Sequence, residues 1–250
     1  MIRKLENKVA VITGGNSGIG LGAAKLFATE GAMVTITGRN TETIKTALAE
    51  IGNNARGIVS DVSNINSFID LYAEVSQAFG KIDILVVNAG IIELAPLEEV
   101  TEEMFDKMSN INYKGVFFTV QKALPYLNDG ASIIITSSSV ADKGISGGAV
   151  YTSTKAAERA LVRSFAVELA ARKIRVNTLS PGSIVTDIFK KNGFAAEQEE
   201  GMNSFFESAT AMKRRGTVDE IAKGYLFLAS GDSSYMTGAD LLIDGGFRDL

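Results

Sequence analysis

Two hydrophobic periods alternate along this chain, and the alternation limits its fold more than any other feature. Short β-branched runs at Val9–Thr13, Met33–Thr37, Arg56–Ser60, Ile82–Val87, Ser132–Ser137 and Arg175–Leu179 have the composition of buried strands. Between them, Gly18–Glu30, Thr41–Ile51, Ser63–Phe79, Asn112–Leu127 and Tyr151–Arg172 carry apolar residues at helical spacing. Parallel strands cannot be joined by a tight turn; each pair needs a crossover, which a helix supplies with a right-handed sense. The pattern therefore predicts an α/β fold, a doubly wound parallel sheet with helices on both faces.

Capping residues sharpen the expected boundaries. Asn40 precedes TETI, Ser63 precedes NINSF, and Thr217 with Glu220 has the spacing of a capping box. The 250 residues suit a single domain spanning residues 1–250, and the three prolines, Pro96, Pro125 and Pro181, mark no linker. A net charge of −4 without a basic block excludes a nucleic-acid footprint. The basic start MIRKLENK leads into an apolar run too short for a signal peptide, and no stretch reaches membrane-spanning length, so a cytoplasmic protein without membrane contact is expected. With no cysteine and no histidine, disulfides, thiolate nucleophiles, the common zinc sites and histidine triads are unavailable, so no metal is expected. Acid–base chemistry falls to Tyr, Lys, Asp or Glu.

At the end of the first strand the chain reads TGGNSGIG, from Thr13 to Gly20, where a helix must begin. Glycines let the backbone approach a pyrophosphate, and a helix N-terminus offers free N–H donors and positive potential. The general dinucleotide fingerprint is met only formally, by Gly18, Gly20 and Ala23. About 20 residues later, where an acid would hold a ribose 2′-hydroxyl, the sequence is Thr37-Gly38-Arg39-Asn40. Arg39 provides a fork of donors for a 2′-phosphate, which favours NADP(H) over NAD(H).

Several further motifs follow in order: Asp61-Val62 after the third strand, Asn88-Ala89-Gly90 after the fourth, Asn112 in INYKG, serines after the fifth, YTSTK from Tyr151 to Lys155, and PGSIVT from Pro181 to Thr186. With these the chain resembles the short-chain dehydrogenase/reductase family over essentially its whole length. The resemblance implies a single-domain Rossmann fold with a seven-stranded sheet, its last strand near Leu241–Ile243, and an oxidoreductase acting on a ketone or secondary alcohol. It assigns Ser138, Tyr151, Lys155 and Asn112 to catalysis, with Asn112 holding a water that relays protons from Lys155. It assigns the cofactor to Thr13, Gly14, Asn16, Ser17, Gly18, Ile19 and Gly20, to Arg39, to Asp61 and Val62 at the adenine, and to Asn88, Ala89 and Gly90. Tyr151 and Lys155 border it as well, as do Pro181, Gly182, Ile184 and Thr186 near the carboxamide. It also implies a homotetramer, a dimer of dimers, built on the helices from Asn112 and Tyr151 and on the last strand.

The chemistry of that assignment is physical. Residues four apart share one helix face, so Tyr151 and Lys155 meet the same substrate. A nearby ammonium favours the phenolate and draws a tyrosine toward the range useful for proton transfer. A serine beside it can hold the carbonyl oxygen as negative charge grows. Ser138 lies 13 residues before Tyr151, the family spacing, whereas the pattern of a serine before Val-Ala selects Ser139; Ser138 is preferred.

Between Asp187 and Arg215, Ile188, Phe189, Phe194, Met202, Phe205 and Phe206 alternate with charges. The segment reads either as a substrate lid at about residues 187–215 or as an amphipathic helix packed on the domain, and as a lid it implies an apolar or aromatic substrate part. Lys213, Arg214 and Arg215 either attract an anionic substrate or carrier protein, or complement a helix dipole. The competing readings are an NAD-linked alcohol, sugar or steroid dehydrogenase and a non-catalytic NADP-binding regulator. The short C-terminal part argues against a sugar epimerase.

Overall fold

The computed structural model describes residues 3–250. β1 (Val9–Ile12), β2 (Met33–Gly38), β3 (Ala55–Val59), β4 (Ile82–Val87), β5 (Leu127–Thr136), β6 (Arg175–Pro181) and β7 (Asp240–Ile243) form a seven-stranded sheet in the order β3-β2-β1-β4-β5-β6-β7. Every neighbouring pair is parallel. The helices are α1 (Gly18–Thr29), α2 (Thr41–Ile51), α3 (Ser67–Phe79), α4 (Glu102–Ser109), α5 (Val116–Ala123), α6 (Ala149–Leu169), α7 (Ile188–Lys191), α8 (Ala196–Ala209) and α9 (Val218–Ala229). This is the doubly wound α/β architecture expected from the alternation, with the seven-stranded Rossmann-type sheet that the resemblance implies.

Strand side chains alternate between the two faces, and so does the core. Val9, Val11, Leu85, Val87, Ile133 and Ile135 pack with Phe68 and Tyr72 of α3, Val116 of α5 and Val162 and Phe165 of α6. Ala10, Ile12, Ile84, Val86 and Ile134 pack on the opposite face with Ala23 and Phe27 of α1, Ile44 of α2 and Ile221 and Tyr225 of α9. Burial on both faces explains why the central strands read as continuous apolar runs.

The caps decide where helices start. The Asn40 side chain accepts from the N–H groups of Glu42 and Thr43 at 2.8 and 3.1 Å. Thr217 and Glu220 exchange side-chain-to-backbone bonds at 3.2 and 2.8 Å, completing the capping box. Ser63 is not a cap: the Asp61 carboxylate accepts from its N–H and hydroxyl, holding a turn open, and α3 begins only at Ser67. Nor does a helix start at Asn112. It starts at Glu102, where the Thr101 hydroxyl accepts from Met104 N–H, and runs into α5 through a π turn at Asn110–Gly115 that contains Asn112. Met108 is the buried residue of α4, so its apolar period is too faint to read.

Leu85 lies in the middle of the sheet with no exposure. Leu85→Ala is expected to cost about 2–5 kcal/mol of stability, whereas Thr217→Ala, which loses one cap, costs about 1 kcal/mol. Urea denaturation separates the two, and equal losses would contradict this account of the core.

Candidate active site

β1 lies between β2 and β4, so the crossovers leaving its neighbours run to opposite sides and a crevice opens at the carboxyl ends of the strands. A cleft of about 530 Å³ occupies this place. One end is a backbone cradle. Gly14, Asn16, Ser17, Gly18 and Ile19 line it, with Gly14 and Gly18 at φ +64° and +54°, where side chains are strained. The Ser17 side chain makes no cap and the first turn of α1 holds no acid, so the helix N-terminus keeps its N–H donors and its positive potential for a ligand. Thr13 and Gly20 do not line the cleft but shape it. The buried Thr13 hydroxyl accepts from the N–H groups of Asn88 and Ala89 at 2.9 and 3.1 Å, tying β1 to the loop after β4. A Cβ on Gly20 would fall 2.5 Å from the Asn88 amide nitrogen and the Gly14 carbonyl oxygen.

Arg39 lines the same end beside Gly38, Asn40 and Thr43. It is exposed, and among the described residues it pairs with no carboxylate. The Asn16 amide bonds the Thr43 hydroxyl at 2.8 Å and sits where a Cβ on Gly38 would stand, 2.7 Å away. Asp61 and Val62 lie next along the wall, followed by Asn88, Ala89 and Gly90; Pro181, Gly182, Ile184 and Thr186 close the opposite side. Arg215 pins that side by donating to the Ile184 carbonyl at 2.6 Å and to the Ser183 hydroxyl at 3.2 Å. The cradle and the free helix terminus fit the pyrophosphate of a dinucleotide.

Tyr151 and Lys155 reach the other half of the cleft from α6, the ammonium 5.9 Å from the ring centroid. Lys155 is buried; its Nζ donates to the Thr136 carbonyl at 2.9 Å and to both carboxylate oxygens of Glu158, at 2.9 and 3.2 Å. Burial works against that ammonium, but Glu158 and Tyr151 more than offset it, and Lys155 is held above the usual lysine range. Tyr151 departs from the expectation: burial pushes its hydroxyl up, Lys155 pulls it down, Glu158 pushes it up again, and a hydrogen bond with Ser138 lowers it. The net direction is up because burial of the hydroxyl, the largest cause, outweighs the pull of Lys155, with Glu158 adding to it.

Of the three serines, Ser138 is the one that acts on the Tyr151 phenol, drawing it down, while its hydroxyl oxygen accepts from Val140 N–H at 3.3 Å. Ser137 donates to the Lys155 carbonyl at 2.8 Å, and Ser139 begins a short 3-10 turn. Asn112 is fully buried and does not line the cleft. Its amide accepts from Ile91 N–H and donates to the Ile91 carbonyl, both at 2.9 Å, and to Thr154 at 3.3 Å, so the side chain locks the loop after β4.

Ile188, Phe189, Met202 and Phe206 of α7 and α8 line the cleft with Ile92, Val140 and Ile145. Phe194 packs behind Phe189 at 5.2 Å, while Phe205 stays half exposed. Arg214 pairs with Glu220 and Lys213 donates to the Ser208 carbonyl, so these two serve the ends of α8 and α9, while Arg215 braces the cleft wall from behind. Sequence reasoning missed Thr43, Thr136 and Glu158. Thr43 was within reach, standing three residues past the Asn40 cap, but Glu158 carries no sequence signal beyond a charge one turn from Lys155 on an otherwise apolar face.

Burial pushes the Glu158 carboxyl up from 4.5 to about 7. The folded protein therefore holds this proton more tightly than the unfolded chain, and the stability Glu158 contributes is full below pH 4.5 and is lost as the pH rises through about 7. Glu158→Gln cannot ionise. Its melting temperature should fall less than that of the wild type across this window, and parallel melting curves would contradict the assignment.

The family model described as Enoyl-(Acyl carrier protein) reductase matches residues 14–248. The chain is 41% identical over 251 residues to Oxidoreductase asL5 of Sarocladium schorii, covering 100% of this chain and 99% of that protein. It is 38% identical over 252 residues to the 2,5-dichloro-2,5-cyclohexadiene-1,4-diol dehydrogenase LinX of Sphingobium indicum, covering 99% and 98%. A short-chain dehydrogenase from Burkholderia cenocepacia, solved in complex with NADP, superposes with a TM-score of 0.89 at 31% identity, covering 98% of this chain and 99% of that one. Sequence and fold agree over the full length of the cleft-bearing sheet, and the chain belongs to the short-chain dehydrogenase/reductase family.

Proposed function

We propose that the protein is an NADPH-dependent carbonyl reductase of apolar or aromatic ketones, with Tyr151 as proton donor. The observation that carries the reading is the convergence, in one cleft, of a phosphate cradle with Tyr151, Lys155 and Ser138. Bound NADPH would supply the hydride. The chain's own residues do the rest. The α1 N-terminus and Gly14–Ile19 bind the pyrophosphate, Asp61, Val62 and Asn88–Gly90 border the adenosine side, and the Pro181–Thr186 turn holds the carboxamide. Ser138 positions the carbonyl oxygen, and Tyr151 delivers a proton to it as negative charge grows there. Lys155 orients the site through its cationic head. With the Asn112 amide committed to Ile91, the backbone of the π turn is what remains for a water in a proton relay.

Arg39 supports the phosphorylated cofactor. It projects from the end of β2 beside the N-terminus of α2, with the Asn40 amide adding a donor. The apolar half of the cleft supports a ring-bearing or aromatic substrate, in keeping with a relative that is named for a cyclic diol. We read α7 and α8 as a lid on a single domain, because they carry Phe189, Met202 and Phe206 into the cleft. A homotetramer is supported by the exposed Phe105, Tyr113 and Val167 on α4, the π turn and α6, and by the free edge of β7.

Tyr151→Phe should lower kcat by about 10²–10⁴-fold on a ring-ketone panel while leaving NADPH binding intact, as fluorescence titration would read. Undiminished turnover would remove Tyr151 from the chemistry. Arg39→Ala should weaken NADPH by about tenfold or more and leave NADH nearly unchanged, a difference of about 1.4 kcal/mol. Equal effects on both cofactors would remove Arg39 from 2′-phosphate recognition.

A further inference from the structure

The carboxylate of Glu158 is almost fully buried, 1% exposed, and both its oxygens face Lys155 Nζ. Nothing in the proton delivery described above uses it. A buried charge is costly unless it is paired, so an acid retained here acts through the group it touches. That group is the ammonium beside the proposed proton donor.

We propose that Glu158 is a positioning residue: it anchors Lys155 against the Thr136 carbonyl and damps the pull of that cation on Tyr151, keeping the tyrosine protonated as the donor for carbonyl reduction. The inference rests on the reading of Tyr151 as the proton donor. Three points of geometry carry it. The ammonium spends its donors on Glu158 and Thr136, and none of its bonds goes to the phenol. Glu158 lies three residues beyond Lys155 on the same buried face of α6, so the pair is held by one rigid element. Its surroundings are otherwise uncharged. From α9 comes Tyr225, whose hydroxyl bonds Thr136 at 2.6 Å and Asn88 at 3.2 Å. The neutral Asn112 amide of the π turn bonds Thr154, next to Lys155, and the neighbouring Arg159 turns away to Asp142 and Asp240. Tyr151, Lys155 and Tyr225 are thus the titratable partners, and Glu158 supplies the negative charge.

At the alkaline pH where a tyrosine titrates, Glu158 is ionised and opposes loss of the phenolic proton, so removing its charge makes that proton easier to lose. The consequence is directional. Ketone reduction, which needs the phenol, persists to higher pH than it would without Glu158, and alcohol oxidation, which needs the phenolate, is confined to more alkaline conditions.

The test follows the ultraviolet phenolate absorbance that Tyr151→Phe removes, together with the pH profiles of reduction and oxidation, in wild type, Glu158→Gln, Glu158→Met and Glu158→Asp. In the Gln variant, and in the Met variant that fills the space without charge, the absorbance transition and both profiles should move down by about one pH unit or more. The Asp variant, which keeps the charge, should stay close to wild type. Curves of Glu158→Gln or Glu158→Met that coincide with wild type overturn the role of Glu158 alone, provided Tyr151→Phe is inactive. Retained turnover in Tyr151→Phe overturns the donor assignment first, and this inference with it.

Discussion

Parallel pairing on both sides of β1 is the constraint from which the rest of the molecule follows. Because the sheet grows outward from β1 through right-handed crossovers, the chain departs in one direction through β2 and β3 and in the other through β4 to β7. The reversal leaves a crevice at the carboxyl ends of the strands. Into it open the glycine turn after β1, the loop after β4 and the serines after β5. Thr13 ties the first two together through its buried hydroxyl. The cleft is therefore a property of strand order, and its chemistry is placed by the ends of individual strands.

At the reactive half, desolvation sets the terms. Burial disfavours the Lys155 ammonium, the Glu158 carboxylate and the Tyr151 phenolate alike; pairing more than offsets it for Lys155 and only in part for Glu158. A lysine beside a tyrosine is therefore not sufficient to make an easily ionised phenol. What the lysine itself touches decides how much of its charge the tyrosine feels. The glycine-lined half differs, with backbone donors at the start of α1 and a solvent-facing Arg39 that carry no large burial cost.

Much of this was legible in the sequence, and for physical reasons. The central strands are buried on both faces and read as unbroken apolar runs; Asn40 and Thr217 announce helix starts because orphan N–H groups need acceptors. The glycine turn, Tyr151 with Lys155, and Ser138 sit where their spacing implies. Legibility ended where tertiary context ruled. Asp61 outcompetes Ser63 for the turn before α3, and α4 shows too little apolar surface to be seen. The commitment of the Asn112 amide to Ile91 and the pairing of Glu158 with Lys155 depend on elements brought together only by folding. The basic run Lys213–Arg215, open to two readings as sequence, resolves into local pairings with Ser208, Glu220 and Ile184.

The central claim is that this cleft binds a reduced dinucleotide and passes its hydride to a ketone. Nicotinamide fluorescence followed through addition of NADPH and then of a ring ketone tests it most directly, since the chain contains no tryptophan to interfere. The account predicts enhanced emission on binding and its decay when the ketone is added. Enhancement that persists across a panel of ring ketones would contradict the claim and leave a cofactor-binding protein without the proposed reductase activity.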